Sequence, residues 1–265
     1  MRRSRKIALA LLTIVGFALA LSFWHSYVPE PVHNGIGLST YLTGTNNFED
    51  GFRVSQILSA KAAPYLANEM RPQPLYELAF RLAPKLPAAV QSILPNQSEY
   101  RMRRARASRM LYWMRTNAAP ALPTLLGLIE KRDPIIQHNC LILVGTLAPG
   151  TQYEERALQL LLKTLREPIA RPEYNHRKAI YSVLGNFTIR LDELSSLLAQ
   201  GMREHANISP CLESLLKIGP PAIPALKEAV KFETNIHIRP AGLALEKIEQ
   251  AQKERSQKQA SLSSP

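Results

Sequence analysis

The chain has 265 residues, of which 46% are hydrophobic, which is enough for one extended domain or two small ones with a packed core. That content excludes a wholly disordered protein. The formal net charge is +12, and four of the positive charges lie in the first six residues, which leaves about +8 for the remainder. Such an excess suits acidic proteins, anionic lipid headgroups or nucleic acid, but solubility alone also accounts for it.

The N-terminus joins a basic leader to an apolar run. Residues 2–6 carry the four cations, and the 18 residues from Ile7 to Trp24 carry no charge. This length is near the lower limit for spanning a bilayer, and the leading positive charge predicts that the rest of the chain is exported. We predict a membrane-anchored protein with its body outside the cytoplasm, either periplasmic or extracellular. An uncleaved signal-anchor is favoured over a signal peptide cut after Ala20, which would yield a secreted protein.

Two segments flank the body of the chain. Residues 25–47 are rich in proline, glycine, asparagine and threonine, which is turn chemistry, so we predict a linker with at most one short helical turn at Leu38–Leu42. Residues 251–265 are rich in lysine, glutamine and serine and lack apolar periodicity, and we predict a disordered tail. The folded domain is therefore expected over residues 48–250.

Within 48–250, apolar residues recur at helical spacing. A first helix is expected from Phe52, a second over 63–70, and an expanded loop over 167–174. The remaining predicted helices cover residues 75–82, 86–94, 100–115, 122–130, 134–147, 154–166, 175–187, 192–204, 210–218, 222–232 and 238–250.

A proline recurs in similar phrases at Pro64, Pro87, Pro123 and Pro224. Pro87 and Pro123 are 36 positions apart, and Pro123 and Pro224 are 101 apart, close to three units of about 34. Proline is tolerated in the first turn of a helix, where its missing N–H costs nothing. The repeat therefore predicts an all-α fold, an α-solenoid of roughly five or six antiparallel helix pairs.

The segment from Leu215 to Leu226, with its Ile218-Gly219-Pro220-Pro221 join, resembles the junction between HEAT repeats. The closest variety is the HEAT-like repeat of the phycobilisome-lyase type, and Thr124–Leu147 is similar to one complete unit. The sequence departs from that pattern at Ile135-Ile136-Gln137, where such repeats usually place Val-Arg. The exported layout also resembles that of bacterial HEAT-repeat proteins. The resemblance implies an α-solenoid that binds another protein, and it implies no catalytic residue.

Residues with catalytic or metal-binding chemistry are scattered. The six histidines form no metal motif, and His138 and Cys140 point in different directions on one helix. The separation of Cys140 from Cys211 favours buried thiols over a disulfide. Acid pairs at 154–155 and 192–193 fall at predicted helix starts, where they favour the helix dipole. We therefore predict a non-enzymatic protein with no metal or cofactor.

Five arginines lie within nine residues, from Arg101 to Arg109, with aromatic residues nearby. Helical geometry places Ala107, Met110, Leu111 and Met114 on one side of this segment. The candidate binding face consists of Arg101, Arg104, Arg106, Arg109 and Trp113. Such a face suits phosphates, anionic polysaccharide, lipid headgroups or an acidic protein surface. The competing interpretation is a solvated face whose arginines pair with nearby acids.

Function remains open between classes. The favoured one is a membrane-tethered or exported scaffold that binds an unidentified protein partner through the solenoid. The alternatives are a lyase-type HEAT protein that handles a small ligand or chromophore, and a basic solenoid that binds a polyanion through Arg101–Arg109. Nucleic acid is the least favoured ligand because export removes the protein from it.

Overall fold

The computed structural model of the protein describes residues 28–43, 48–85, 91, 96–131, 136–167, 176–203, 207–231 and 240–262. The predicted N-terminal anchor at 1–24, most of the predicted helix at 86–94, including Pro87, and all but the first residue of the predicted expanded loop at 167–174 lie outside the described residues.

The described chain is almost entirely helical, which confirms the all-α prediction. Several of the helices are joined by short 3₁₀ turns, the longest being Arg115–Ala121. The helices are α1 (Leu38–Thr43), α2 (Phe48–Leu58), α3 (Ala62–Glu69), α4 (Pro74–Leu82), α5 (Gln97–Met114), α6 (Leu122–Glu130), α7 (Gln137–Leu147), α8 (Glu154–Arg166), α9 (His176–Leu184), α10 (Leu191–Gly201), α11 (Ile208–Ile218), α12 (Ile223–Val230) and α13 (Pro240–Leu262).

The segment predicted as a linker is structured over most of its length. Strands β1 (Val32–His33) and β2 (Ile36–Gly37) pair antiparallel across Asn34-Gly35, and both turn residues have positive φ. Helix α1 follows directly, and its Leu38 and Leu42 side chains are fully buried. The prediction allowed one helical turn here, but it missed the hairpin and the docking of α1, which packs on the following helix α2 and on the distant helix α5.

The recurring prolines mark helix starts. Pro123 is the second residue of α6 and Pro224 is the second residue of α12, as the first-turn prediction required. Pro64 lies in the first turn of α3. At these positions proline gives up an N–H that has no partner within the helix, and its φ already suits the helix.

Helix α8 illustrates why these segments are helical. Its apolar residues at 157, 158, 161, 162 and 165 form one buried stripe, with acids in the first turn and bases in the last. The first part of helix α13 also buries apolar residues (Ala241, Ala244 and Ile248). Residues 251–258 are exposed, and the helix continues to Leu262. The prediction of disorder from residue 251 therefore differs from the structure. This segment lacks core contacts, but its Gln, Lys, Glu and Ala residues are good helix formers.

From α5 onward the helices alternate between two rows. The first row consists of α6, α8, α10 and α12, and the second row consists of α5, α7, α9, α11 and α13. Each second-row helix packs against the next helix of that row. First-row helices α6 and α8 pack together, as do α10 and α12. Helix pairs α6–α7, α8–α9, α10–α11 and α12–α13 connect the two rows. Among the described helices, α8 and α10 form no comparable contact, and this leaves an opening in the first row.

Small residues allow the second-row helices to approach closely. A Cβ atom added at Gly185 would lie 2.5 Å from the Cα of Ser214 on α11, and one added at Gly145 would overlap the side chain of Val183 on α9. The Ser214 hydroxyl donates to the Tyr181 carbonyl oxygen at 2.5 Å. The approach is therefore limited by backbone atoms of Ser214 at Gly185 and by the Val183 side chain at Gly145.

A buried carboxylate at the start of α8 connects the segments that precede α8 and α10. Glu154 accepts hydrogen bonds from the Gly150 amide at 2.8 Å and from the Thr188 amide at 2.7 Å. The Thr188 hydroxyl donates to the same carboxylate at 2.9 Å. Burial favours the neutral acid, but these hydrogen bonds outweigh it and hold the pKa of Glu154 below its ordinary value.

We expect Gly185→Ala to lower the free energy of unfolding by about 1–3 kcal/mol, because the methyl group meets backbone atoms that have no room to rotate away. Gly127→Ala is the matched control, since a Cβ there has nothing within 4 Å. It should be neutral or stabilise by up to about 1 kcal/mol. Urea unfolding followed by circular dichroism measures both, and equal effects would contradict the close-packing argument.

We expect Glu154→Gln to cost about 1–3 kcal/mol at pH 7. Because the folded-state pKa lies below the ordinary glutamate pKa of 4.5, the carboxylate stabilises the fold above pH 4.5 and loses this contribution as the pH falls through the folded pKa. Wild-type stability should therefore drop between about pH 5 and 3 more steeply than that of the variant. Thermal melts across this range provide the measurement, with Glu155→Gln at an exposed site as control.

Candidate functional site

Helix α5, which carries the arginine cluster, has one buried and one exposed face. Asn96 caps its start by accepting hydrogen bonds from the amides of Ser98 and Glu99 at 2.9 and 3.4 Å. The four apolar residues predicted to share one side (Ala107, Met110, Leu111 and Met114) are all buried, which confirms that prediction. The arginines divide between the two faces.

Arg104 belongs to the interior, and this corrects its assignment to the candidate binding face. Its side chain is 1% exposed, and its Nε donates to the Met70 carbonyl oxygen at 2.9 Å. The guanidinium carbon lies 5.5 Å from the centre of the Tyr100 ring. Arg104 thus satisfies a carbonyl at the C-terminus of α3, where a cation also favours the helix dipole.

Two further arginines connect α5 to other elements. The Arg103 Nε donates to Glu69 at 2.6 Å, at the last residue of α3. Arg106, which is partly buried, donates from Nη1 to the Leu42 carbonyl oxygen of α1 at 3.0 Å. Arg106 was predicted to lie on the exposed face opposite the core, but the structure uses it to hold α1. Its partner lies 64 positions away, beyond the reach of helical periodicity.

The remaining predicted site residues, Arg101, Arg109 and Trp113, are exposed. Met102 and Tyr112 lie on the same face, and the exposed fractions of Met102, Tyr112 and Trp113 are 52%, 49% and 50%. Phe52 joins them from α2, with its ring centre 5.8 Å from that of Trp113 in an edge-to-face arrangement. The aromatic–basic surface is defined as Phe52, Arg101, Met102, Arg109, Tyr112 and Trp113.

Helical spacing and one polar contact order this surface. Residues 102, 109 and 113 follow one line along α5, and residues 101 and 112 follow the adjacent line. The ring centres of Tyr112 and Trp113 are 5.8 Å apart. The Gln56 side chain donates to the Trp113 carbonyl oxygen at 2.7 Å and fixes α2 against the end of α5. Sequence reasoning missed Phe52 because no local signal pairs residues 61 positions apart.

The chemistry of the aromatic–basic surface is that of recognition. Tyrosine, tryptophan, phenylalanine, methionine and arginine are the residue types enriched in protein–protein interfaces, and tryptophan, tyrosine and arginine dominate their binding energy. The rings offer apolar area at low entropic cost, and the guanidinium groups add charge and stacking.

The ionisable groups His138, His176 and Tyr65 have shifted pKa values but are not part of this surface. Burial lowers the pKa of His138, and burial together with the nearby His138 lowers the pKa of His176. Burial, followed by the charges of Glu69 and Glu30, raises the pKa of Tyr65 well above its usual range. His138 and His176 are 38 positions apart, but helices α7 and α9 bring them together.

Several other predicted features have a place in the structure. Cys140 and Cys211 are both buried, and no disulfide joins them, as predicted. Within the described ranges, no group of three or more His, Cys, Asp or Glu residues is arranged to hold a metal ion. In the same part of the chain, no helix has the length and apolar character required to cross a membrane.

Comparisons of the chain with protein-family models, with curated proteins and with solved structures found no match.

We expect Arg104→Ala to destabilise the fold by about 2–4 kcal/mol, because it leaves a cavity and a buried carbonyl oxygen without its donor. Arg101→Ala removes the same side chain from an exposed position and should change stability by less than about 0.5 kcal/mol. Chemical unfolding of both variants is the measurement. A small effect of Arg104→Ala would show that the interior contact to Met70 contributes little.

Proposed function

We propose that the described helices form an α-solenoid of the HEAT-like type. Support comes from contacts that repeat along the chain. Polar side chains of one pair bond the preceding pair at sequence separations of 31 (Asn139 to Ser108), 33 (Ser214 to Tyr181), 34 (Thr188 to Glu154) and 41 (Asn186 to Gly145). These separations resemble the period of the proline phrases, and contacts between adjacent units are what a solenoid requires.

We propose that this solenoid is a non-enzymatic interaction module that binds a protein partner through the aromatic–basic surface. The observation that carries the proposal is the exposure of Met102, Tyr112 and Trp113 beside the cations Arg101 and Arg109. Half-exposed large apolar side chains on one face have an unfavourable hydration free energy, which is relieved when a partner buries them. The rings and guanidinium groups together favour a partner with apolar side chains among acidic ones.

The proposed location is outside the cytoplasm, with the body tethered to a membrane by the N-terminal apolar run or released if that run is cleaved. This part of the proposal rests on the sequence of residues 1–24 alone. A membrane tether would restrict the partner to proteins at or near the same surface.

Site-directed photo-crosslinking in the source cells tests the binding surface. A benzoylphenylalanine placed at position 112 of the full-length chain should capture a specific protein, whereas the same group at Leu243, an exposed apolar residue of α13, should not. Capture of the same proteins from both positions would contradict the proposal.

Affinity capture of that partner then tests the energetics. We expect Tyr112→Ala/Trp113→Ala to reduce recovery of the partner by at least about tenfold, as for interface hot spots, while Leu243→Ala leaves it unchanged. Arg101→Glu/Arg109→Glu should also weaken capture. If it instead abolishes binding to heparin and leaves the partner bound, the surface is a polyanion site.

A further inference from the structure

The opening between α8 and α10 forms a second candidate binding site. A cavity of about 160 Å³ lies between these helices, with Leu162, Leu165, Tyr181 and Leu197 as its apolar lining. It adjoins a shallower groove of about 580 Å³ that runs along α8, and the two share Leu162 and Arg166. We refer to them together as the α8–α10 cleft. The cleft lies where α8 and α10 pack loosely, beyond the ion pair that joins Glu155 of α8 to Arg190 at the start of α10.

The rim of the cleft is basic. Lys163 and Arg166 are exposed in the last turn of α8, and Arg177 lines the cavity from the first turn of α9. Arg190 also lines the groove, but it already forms ion pairs with Glu155 and Glu193. Besides Arg190, the groove is lined by the exposed cations Lys163 and Arg166 and by one acidic residue, Glu167. Within the described ranges, neither Lys163 nor Arg166 forms an ion pair.

The floor of the cleft is fixed by close packing beneath it. Leu162, Leu165 and Tyr181 are each 5–6% exposed. A Cβ atom added at Gly201 would lie 2.8 Å from Cζ of the Tyr181 ring, so only glycine leaves room for this ring below α10. The cavity within the cleft is thus a preformed apolar slot.

We propose that the α8–α10 cleft binds an acidic peptide segment of a partner protein, with one apolar side chain in the slot and flanking carboxylates on Lys163 and Arg166. The cavity is smaller than the roughly 300–1,000 Å³ of small-molecule sites, which favours a single side chain of a longer ligand. Nucleic acid fits less well, because no exposed aromatic side chain for base stacking is among the described residues that line the cleft. A second copy of the chain is disfavoured by its formal net charge of +12.

Fluorescence anisotropy with the full-length chain in non-ionic detergent tests this site. The probe is a fluorescein-labelled peptide of sequence GSELEELESG. Its matched controls replace each Glu by Gln or each Leu by Ser. We expect the probe to bind at least about tenfold more tightly than either control, since both charge and an apolar side chain are required.

Two variants should weaken probe binding by at least about tenfold: Lys163→Glu/Arg166→Glu, which reverses the rim charge, and Gln200→Trp, which fills the mouth of the slot from an exposed position. Arg101→Glu/Arg109→Glu should leave probe binding unchanged, which separates this site from the aromatic–basic surface. Binding that is absent at millimolar protein, or that ignores the first two variants, would overturn the inference. Heparin binding that depends on Lys163 and Arg166 without peptide binding would also overturn it and identify a polyanion site.

Discussion

A side chain as small as a methyl group does not fit where α9 meets α11. Gly185 faces the backbone of Ser214 there, and Gly145 plays the same part against Val183 where α7 meets α9. Because each helix pair buries its apolar face mainly on its neighbours, a displacement at one such junction is passed on to every later pair. Hydrogen bonds at the same junctions, such as Ser214 to the Tyr181 carbonyl, fix the register. Spacing and register are therefore set together at a few small residues.

The arginines of α5 show how one residue type serves two purposes on one helix. Arg104 satisfies a backbone carbonyl in the interior, and Arg106 holds α1 through another. Arg101 and Arg109 are exposed on the same face of α5 as Trp113. A long side chain with several donors suits each role, because it reaches carbonyl oxygens of neighbouring elements or lies across an aromatic face. The contacts of Arg104 and Arg106 fix α5 against α3 and α1, and the exposed face of α5 is held with it.

The helix boundaries were largely predictable from the sequence because they depend on local features. The bounds of α6 and α8 were correct to the residue, since proline, acids and an apolar stripe mark them. The division of the arginines between interior and surface was not predictable, because the partners of Arg104 and Arg106 lie 34 and 64 positions away. Phe52 was missed for the same reason. The sequence thus predicted the helix that carries the candidate site and three of its residues, Arg101, Arg109 and Trp113. It did not predict the full set of residues.

The loose packing between α8 and α10 also has a mechanical consequence. At the start of α8, Glu154 bonds Thr188 and Glu155 pairs with Arg190. Elsewhere the connection between the described helices runs through α9 and its second-row neighbours. An array of helices with fewer contacts on one side bends most easily about the side where the contacts remain. The body should therefore flex at this point, with α9 as the hinge line and the rim residues Lys163 and Arg166 moving relative to Gln200. A ligand that contacts both α8 and α10 would restrict this motion between the two helices.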